Sequence, residues 1–134
     1  MIYLDSCAVV KLIRPEPDSA ALTAWLNARP AVSVVTSVLA EIEVARALRR
    51  NSPERLAGMT AVLAKLGRIE ISMAVRATAA AYSEPHLRSS DAVHLATVDH
   101  LRASGKVIDA VVTYDKRLAS AAADAGHRVI APGC

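Results

Sequence analysis

Short apolar runs alternate along the chain with longer segments in which apolar residues recur every three or four positions. The short runs lie at 1–5, 31–35, 68–72, 107–113 and 127–131, and each predicts a β-strand. The longer segments predict helices. This alternation is typical of an α/β domain in which helices cover a central, mostly parallel sheet, here of about five strands.

Capping residues and glycines mark the ends of several predicted helices. Ser52-Pro53-Glu54 has the composition of a helix start, with a capping hydroxyl, a first-turn proline and an acid near the positive end of the helix dipole. Helices are predicted at 37–50, 52–66, 89–102 and 116–125, and a glycine follows each of the last three. No linker or repeat interrupts the pattern, so residues 1–134 are predicted to form one domain.

Composition narrows the class of protein. Hydrophobic residues make up 53% of the chain and aromatic residues 3%, so the core must be aliphatic. The longest apolar stretch, 31–40, is about half the length of a membrane span, and no basic leader precedes Asp5, so a cytoplasmic location is expected. Cys7 and Cys134 are predicted to be reduced thiols, because a disulfide framework needs more cysteines. The net charge of +3 is compatible with a polyanionic substrate but decides little.

One acid of the helix predicted at 37–50 lies on its apolar side. Glu43, Arg46 and Arg50 share a polar face, which is interpreted as solvated. Glu41 instead lies in line with Val44 on the stripe expected to face the core. A first-turn acid can also serve only to stabilise the helix dipole, so that alternative stays open for Glu41.

Asp91 repeats this anomaly in the helix predicted at 89–102. It shares a face with Leu95 and Val98, at the i+4 and i+7 positions. An unpaired buried carboxylate is costly enough that it normally becomes neutral or binds a cation. The helix N-terminus offers a partial structural explanation here too.

Two further acids follow strands. Asp5 ends the first predicted strand, and Asp115 follows the fourth. In open parallel sheets, ligands bind at the carboxyl ends of the strands. Taken singly, each acid is equally well explained as a turn residue or a helix cap.

Together these four acids predict a metal site, provided that the fold brings them together. Like charges about 6 Å apart repel by roughly 3 kcal/mol per pair at an effective dielectric of about 20. A bound cation relieves that repulsion better than protonation does. Ligation by carboxylate oxygens alone suits Mg²⁺ or Mn²⁺ rather than zinc.

At this point the chain resembles the PIN-domain family, and within it the bacterial VapC toxins. The matching segments are IYLDS at 2–6, SVLAE at 37–41, SDAVHLAT at 90–97 and VTYDKRL at 112–118. They occur in the family's order over nearly the whole chain. No single segment is diagnostic, but four in order are specific.

The resemblance implies a three-layer α/β/α sandwich and a Mg²⁺- or Mn²⁺-dependent endoribonuclease that hydrolyses RNA with metal-activated water. It also implies a homodimer that a small VapB-type antitoxin neutralises. The family's roles carry onto Asp5, Glu41, Asp91 and Asp115 as the catalytic acids, with metal held by Asp5, Asp91 and Asp115 and with Glu41 close by or acting through water. Ser6 and Thr113 match the family's hydroxyl positions near the metal.

Other readings of these residues stay open. Lys116 and Arg117, beside the predicted site, are candidates for phosphate contact and equally well explained as solvated helix residues. His94, three residues after Asp91, could suggest zinc, but the four histidines are dispersed. An aspartyl-phosphate enzyme is disfavoured, because no second acid follows Asp5 two residues on. A catalytically silent PIN-like binding module is the alternative from another class, and the identity of the RNA is left open.

Overall fold

The computed structural model describes all 134 residues and contains one five-stranded sheet. The strands are β1 (Ile2–Leu4), β2 (Val34–Ser37), β3 (Gly67–Ile69), β4 (Ala110–Val112) and β5 (Val129–Ile130). Seven α-helices connect and cover them: α1 (Ser6–Ile13), α2 (Ser19–Asn27), α3 (Leu39–Asn51), α4 (Met59–Leu63), α5 (Met73–Ala81), α6 (Ser89–Ala103) and α7 (Lys116–Asp124). A 3-10 helix spans Pro53–Gly58.

The sheet is parallel throughout, in the order β3-β2-β1-β4-β5. The first strand is central, and Leu4 at its end lies opposite Val112 at the end of β4. The chain builds the sheet outward from β1 in one direction and then, from β4, in the other. The order therefore reverses between β1 and β4, which is where open α/β sheets form their ligand crevice.

Alternation along the central strands divides the core between two faces of the sheet. Ile2 and Leu4 point into a cluster with the buried residues of α1 to α4. Tyr3 points to the opposite face, where it packs with Val98 and Leu101 of α6. The helices α5 and α7 pack beside α6. The result is the three-layer α/β/α sandwich with five strands that the sequence predicted.

The sequence pattern misplaced some elements. The second strand was predicted at 31–35 but lies at Val34–Ser37, because the strand is buried on both faces and continues through Thr36 and Ser37, which are polar but fully buried. The helix predicted at 52–66 is a 3-10 segment followed by the short α4, and the Ser52 side chain accepts no capping hydrogen bond from its N–H groups. Three helices, α1, α2 and α5, were not among the predicted helices.

A buried polar cluster joins α6 to the segments on either side of it, two turns further along that helix than Asp91. Nε2 of His127 lies 2.6 Å from Oδ1 of Asp99, and the Tyr82 hydroxyl donates to Oδ2 of Asp99 at 2.6 Å. The side chain of His127 is almost fully buried. Both oxygens of Asp99 thus have a hydrogen-bond partner, as buried polar groups require.

The chain contains no disulfide bond. Cys7 and Cys134 are both free, as predicted. None of the helices combines the length and the apolar character that crossing a membrane requires.

The turn after α7 depends on the conformational freedom of Gly126, whose φ is +90°. We expect Gly126→Ala to lower the free energy of unfolding by about 1–2 kcal/mol, because a Cβ is disfavoured in this backbone region. Urea unfolding followed by circular dichroism measures the change. Gly58→Ala is the control: Gly58 has φ −82°, and an added Cβ would lie 3.7 Å from Ile13. That variant should be neutral or slightly stabilised; equal losses in both would contradict the conformational explanation.

Candidate active site

The carboxyl ends of β1 and β4 place two acids side by side. Asp5 directly follows β1, and Asp115 lies three residues beyond β4. Because Leu4 pairs with Val112, both acids lie at the crevice where the strand order reverses. Both acids therefore lie at the carboxyl ends of the strands, as the sequence predicted.

Asp5 is held rigidly, with 3% of the residue exposed. Its Oδ1 accepts a hydrogen bond from the Ala8 N–H at 2.9 Å, so it caps α1. Its Oδ2 accepts a short hydrogen bond from the Thr113 hydroxyl. Burial raises the pKa of Asp5 by more than the hydrogen bond from Thr113 lowers it. The charged carboxylate is thus fixed in direction but disfavoured without a nearby cation.

Asp115 caps α7 in the same manner. Its Oδ1 accepts hydrogen bonds from the N–H groups of Arg117 and Leu118 at 2.9 and 3.0 Å. Its own N–H donates to Oγ1 of Thr113 at 3.1 Å. The cap and ligand explanations of the sequence are therefore compatible, since each acid uses one oxygen for its helix. Thr113 links the two acids by bonding to both residues.

Asp91, in the first turn of α6, is also buried. Its Oδ2 is the one buried side-chain nitrogen or oxygen in the protein that has no hydrogen-bond partner. Burial, followed by the charge of Asp115, raises the pKa of Asp91. Such an orphaned oxygen is rare in folded proteins and indicates a group that binds there.

The fourth acid of the site is not the one predicted. Glu41 is exposed and forms an ion pair with Arg68 of the edge strand β3 at 3.2 Å. Glu43, which was assigned to the solvated face, is partly buried and accepts hydrogen bonds from the Ser6 hydroxyl at 2.7 Å and from Nε2 of His94 at 2.9 Å. The helical register assigned to these two acids was therefore wrong.

The error has a physical cause. A helical wheel gives only the direction of a side chain about the helix axis, and Glu41 does lie near Val44 in that projection. The flank of α3 that carries Glu41 faces the edge of the sheet, whereas α1 and α6 cover the flank that carries Glu43. No signal within the helix itself separates the two acids, because the neighbouring elements decide which flank is enclosed.

Glu43 differs electrostatically from the buried aspartates. Burial acts to raise its pKa, but the hydrogen bonds from His94 and Ser6 outweigh burial, and the pKa lies below its ordinary value. Hydrogen-bond donors thus stabilise the charge of Glu43, while Asp5 and Asp91 lack comparable compensation. The site combines one well-stabilised carboxylate with two that favour a cation.

The four carboxylates share one electrostatic field. Cys7 lies beside them, and desolvation of its thiol together with the charges of Asp5, Asp115, Glu43 and Asp91 raises the pKa of Cys7 to about 12. As the side chains stand, no three acidic, histidine or cysteine residues enclose a position for a metal ion. The carboxylates are therefore close enough to repel one another but not yet arranged as a closed ligand shell.

Comparison with known proteins shows the family of this chain. The family model for the PIN domain matches residues 2–124. The chain belongs to the PIN-domain family. It is 50% identical to Ribonuclease VapC35 of Mycobacterium tuberculosis, over 99% of this chain and 98% of that protein.

Solved structures show the same PIN-domain fold. The crystal structure of M. tuberculosis VapC20, described as a sarcin-ricin loop cleaving toxin, has a TM-score of 0.74 at 17% identity and covers 98% of this chain and 100% of that one. VapBC2 of Rickettsia felis, bound to a DNA fragment from the promoter, has a TM-score of 0.70 at 14% identity, with 98% and 99% covered.

The remaining predicted site residues of this PIN domain lie in two different environments, one buried and one exposed. Ser6 and Thr113 are buried and donate to Glu43 and Asp5, respectively. Lys116 and Arg117 are exposed at the start of α7 and line a groove of about 500 Å³ together with His86. The hydroxyls therefore orient carboxylates, while the basic residues face solvent beside Asp115.

The raised pKa of Asp91 predicts how the PIN domain responds to Asp91→Asn. At pH 7 in metal-free buffer we expect a higher free energy of unfolding for the variant, because the folded state no longer holds this buried charge beside Asp115. A raised folded-state pKa means that the wild type takes up a proton on folding. Its destabilisation is therefore present above that pKa and disappears as the pH falls towards about 4, the ordinary range of an aspartate.

Urea unfolding at pH values from 7 down to about 4 measures the difference in the free energy of unfolding between wild type and Asp91→Asn. The difference should shrink as the pH is lowered. Asp124→Asn serves as the control, because Asp124 is exposed on α7. A clear loss of stability for Asp91→Asn at pH 7 would assign Asp91 a structural role instead.

Proposed function

We propose that this PIN-domain protein is a metal-dependent endoribonuclease and the toxin of a toxin–antitoxin pair. The observation that carries the proposal is the unpartnered, buried Oδ2 of Asp91 among the carboxylates at the β1/β4 crevice. The 50% identity to a protein named as a ribonuclease supports the reaction class. Hydrolysis of an RNA phosphodiester bond is the reaction that such an acid-lined site performs.

A hard divalent cation, Mg²⁺ or Mn²⁺, suits the donors. Asp5, Asp91 and Asp115 would hold it through carboxylate oxygens, the ligands such ions prefer. Glu43, rather than Glu41, is the fourth acid of this proposal, because it lies on the enclosed flank of α3. When bound, the metal would lower the pKa of a water molecule and neutralise charge developing at phosphorus.

The chain's own residues orient this site. The Ala8 N–H and the Thr113 hydroxyl fix both oxygens of Asp5, and the start of α7 fixes one oxygen of Asp115. Carboxylates held in this manner lose little freedom when they bind a ligand. Lys116 and Arg117 in the adjacent groove would contact the phosphates that flank the cleaved bond.

A VapB-type antitoxin is the proposed partner, and a homodimer the proposed assembly. The fold shared with the toxin chains of VapBC complexes supports the partner. A basic antitoxin side chain that reached the carboxylates would satisfy the same negative charges as the metal does. Antitoxin and metal are therefore proposed to compete for the site.

Cleavage of total cellular RNA by purified protein tests the proposal. We expect cleavage with added Mg²⁺ or Mn²⁺ and none in chelator, because the crevice offers only carboxylate ligands. Asp5→Asn should abolish cleavage while preserving the cap of α1, since asparagine caps helices as well as aspartate does. Mapping the cleaved ends would identify the RNA.

The same pair of proteins distinguishes a nuclease from a silent binding module. Induced alone in bacteria, the wild type should slow growth and Asp5→Asn should not, and a co-expressed antitoxin should restore growth. Full cleavage by metal-stripped protein would exclude the metal mechanism. A wild type that binds RNA without cutting it, or that slows growth no more than Asp5→Asn, would favour the binding module.

The two acids of α3 provide a matched pair for a second test. We expect Glu43→Gln to lower kcat for RNA cleavage by about 10- to 100-fold, the usual range for groups that orient or support a metal site. Glu41→Gln should leave kcat unchanged, because Glu41 pairs with Arg68 on the exposed flank. Steady-state kinetics on one RNA substrate provides the comparison. A larger loss from Glu41→Gln would restore the register predicted from sequence.

A further inference from the structure

A buried chain of polar side chains reaches the active site from the core. The Tyr3 side chain in β1 is fully buried, and its hydroxyl lies 2.7 Å from Nδ1 of His94, which is 3% exposed on α6. Nε2 of His94 lies 2.9 Å from Oε1 of Glu43 and 3.2 Å from the Ser6 hydroxyl. The chain thus connects the centre of the sheet to the only acid of the site that α3 supplies.

For a neutral His94 imidazole, one arrangement of protons satisfies the contacts along this chain. A phenol carries its proton at pH 7, so the Tyr3 O–H, 2.7 Å from Nδ1 of His94, can donate to that nitrogen. A neutral imidazole that accepts at Nδ1 carries its proton on Nε2. That N–H then donates to Oε1 of Glu43. The reverse tautomer would direct a nitrogen lone pair at the carboxylate.

These hydrogen bonds determine the direction of the Glu43 carboxylate. Its Oε1 accepts two hydrogen bonds, from His94 and from Ser6, and neither of these donors bonds to Oε2. Two donors on one oxygen fix the rotation of the carboxylate. Oε2 is thereby free of both of these donors.

We propose that His94 is a positioning residue, which fixes Glu43 through an Nε2–H that Tyr3 maintains on that nitrogen. His94 does not act on the substrate itself. Any effect on cleavage rests on the proposed ribonuclease activity, but the tautomer does not. The inference can therefore be tested in the metal-free protein as well as in the active one.

Two substitutions separate the two nitrogens of the ring. A glutamine amide nitrogen falls near the position of Nε2 and can still donate to Glu43, whereas an asparagine amide falls near Nδ1 and cannot reach it. We expect His94→Asn to lower kcat for RNA cleavage by about 10- to 100-fold with KM little changed. His94→Gln should retain most of the wild-type kcat.

The protein supplies a matched control in its second buried histidine. His127 is as buried as His94 and also contacts a carboxylate, that of Asp99, at 2.6 Å. His127→Gln and His127→Asn should lower the melting temperature but leave kcat at the wild-type value. Melting temperatures of all four variants show whether a loss of activity follows a loss of stability.

Nitrogen-15 NMR of the histidine side chains reads the tautomer directly. Long-range proton–nitrogen correlations of metal-free wild type, assigned by comparison with His94→Gln, should show His94 protonated at Nε2 and not at Nδ1. Tyr3→Phe removes the donor to Nδ1, so the Nδ1–H tautomer should become populated and kcat should fall in the same direction as for His94→Asn.

Each other outcome has a defined meaning. A proton on Nδ1 of His94 in the wild type, alone or together with one on Nε2, overturns the proposal without any reference to activity. Equal kcat values for wild type and His94→Asn, or equal losses for the Asn and Gln variants, also overturn it. A loss of kcat in the His127 variants that matches the loss in His94→Asn would assign the effect to stability. A wild type with the Nε2–H tautomer and no cleavage contradicts the proposed function and leaves the positioning of Glu43 supported.

Discussion

The parallel pairing of β1 with β4 is the contact on which the whole site depends. It sets Leu4 opposite Val112 and so fixes Asp5 and Asp115 at the same edge of the sheet. Helix α6 then packs through Val98 and Leu101 onto the face that carries Tyr3. This packing places Asp91, at the start of the helix, against the same edge. A shift in that pairing would separate the acids, because a sheet transmits its register to every group at the strand ends.

Holding several carboxylates in one crevice costs stability in the absence of a cation. Burial raises the pKa values of Asp5 and Asp91, and the charge of Asp115 raises that of Asp91 further. The protein limits this cost by using helix starts, since Asp5 and Asp115 each cap a helix and lie near the positive end of its dipole. Each of these two acids uses one carboxylate oxygen for its helix start. Substitution by alanine would therefore confound a structural loss with a chemical one, which is why the amide variants are informative.

The polar chain behind Glu43 shows a second solution to the same problem. Here two hydrogen-bond donors, His94 and Ser6, stabilise the charge, and Tyr3 contacts His94 from within the aliphatic core. Low local polarity strengthens such hydrogen bonds and penalises any donor that loses its partner. The network therefore specifies one geometry for the Glu43 carboxylate.

The sequence alone determined the class of fold, the number of strands and the edge at which the acids following strands would lie. These features depend on local periodicity and on the fixed direction of parallel strands, as Asp5, Asp115 and the buried Asp91 show. The tertiary structure decided which acid of α3 is enclosed, since Glu41 and Glu43 differ only in the elements that cover their flanks. It also decided the contact between Tyr3 and His94, which are 91 positions apart. A periodic pattern records only that a side chain is buried, and its partner becomes known when distant segments pack together.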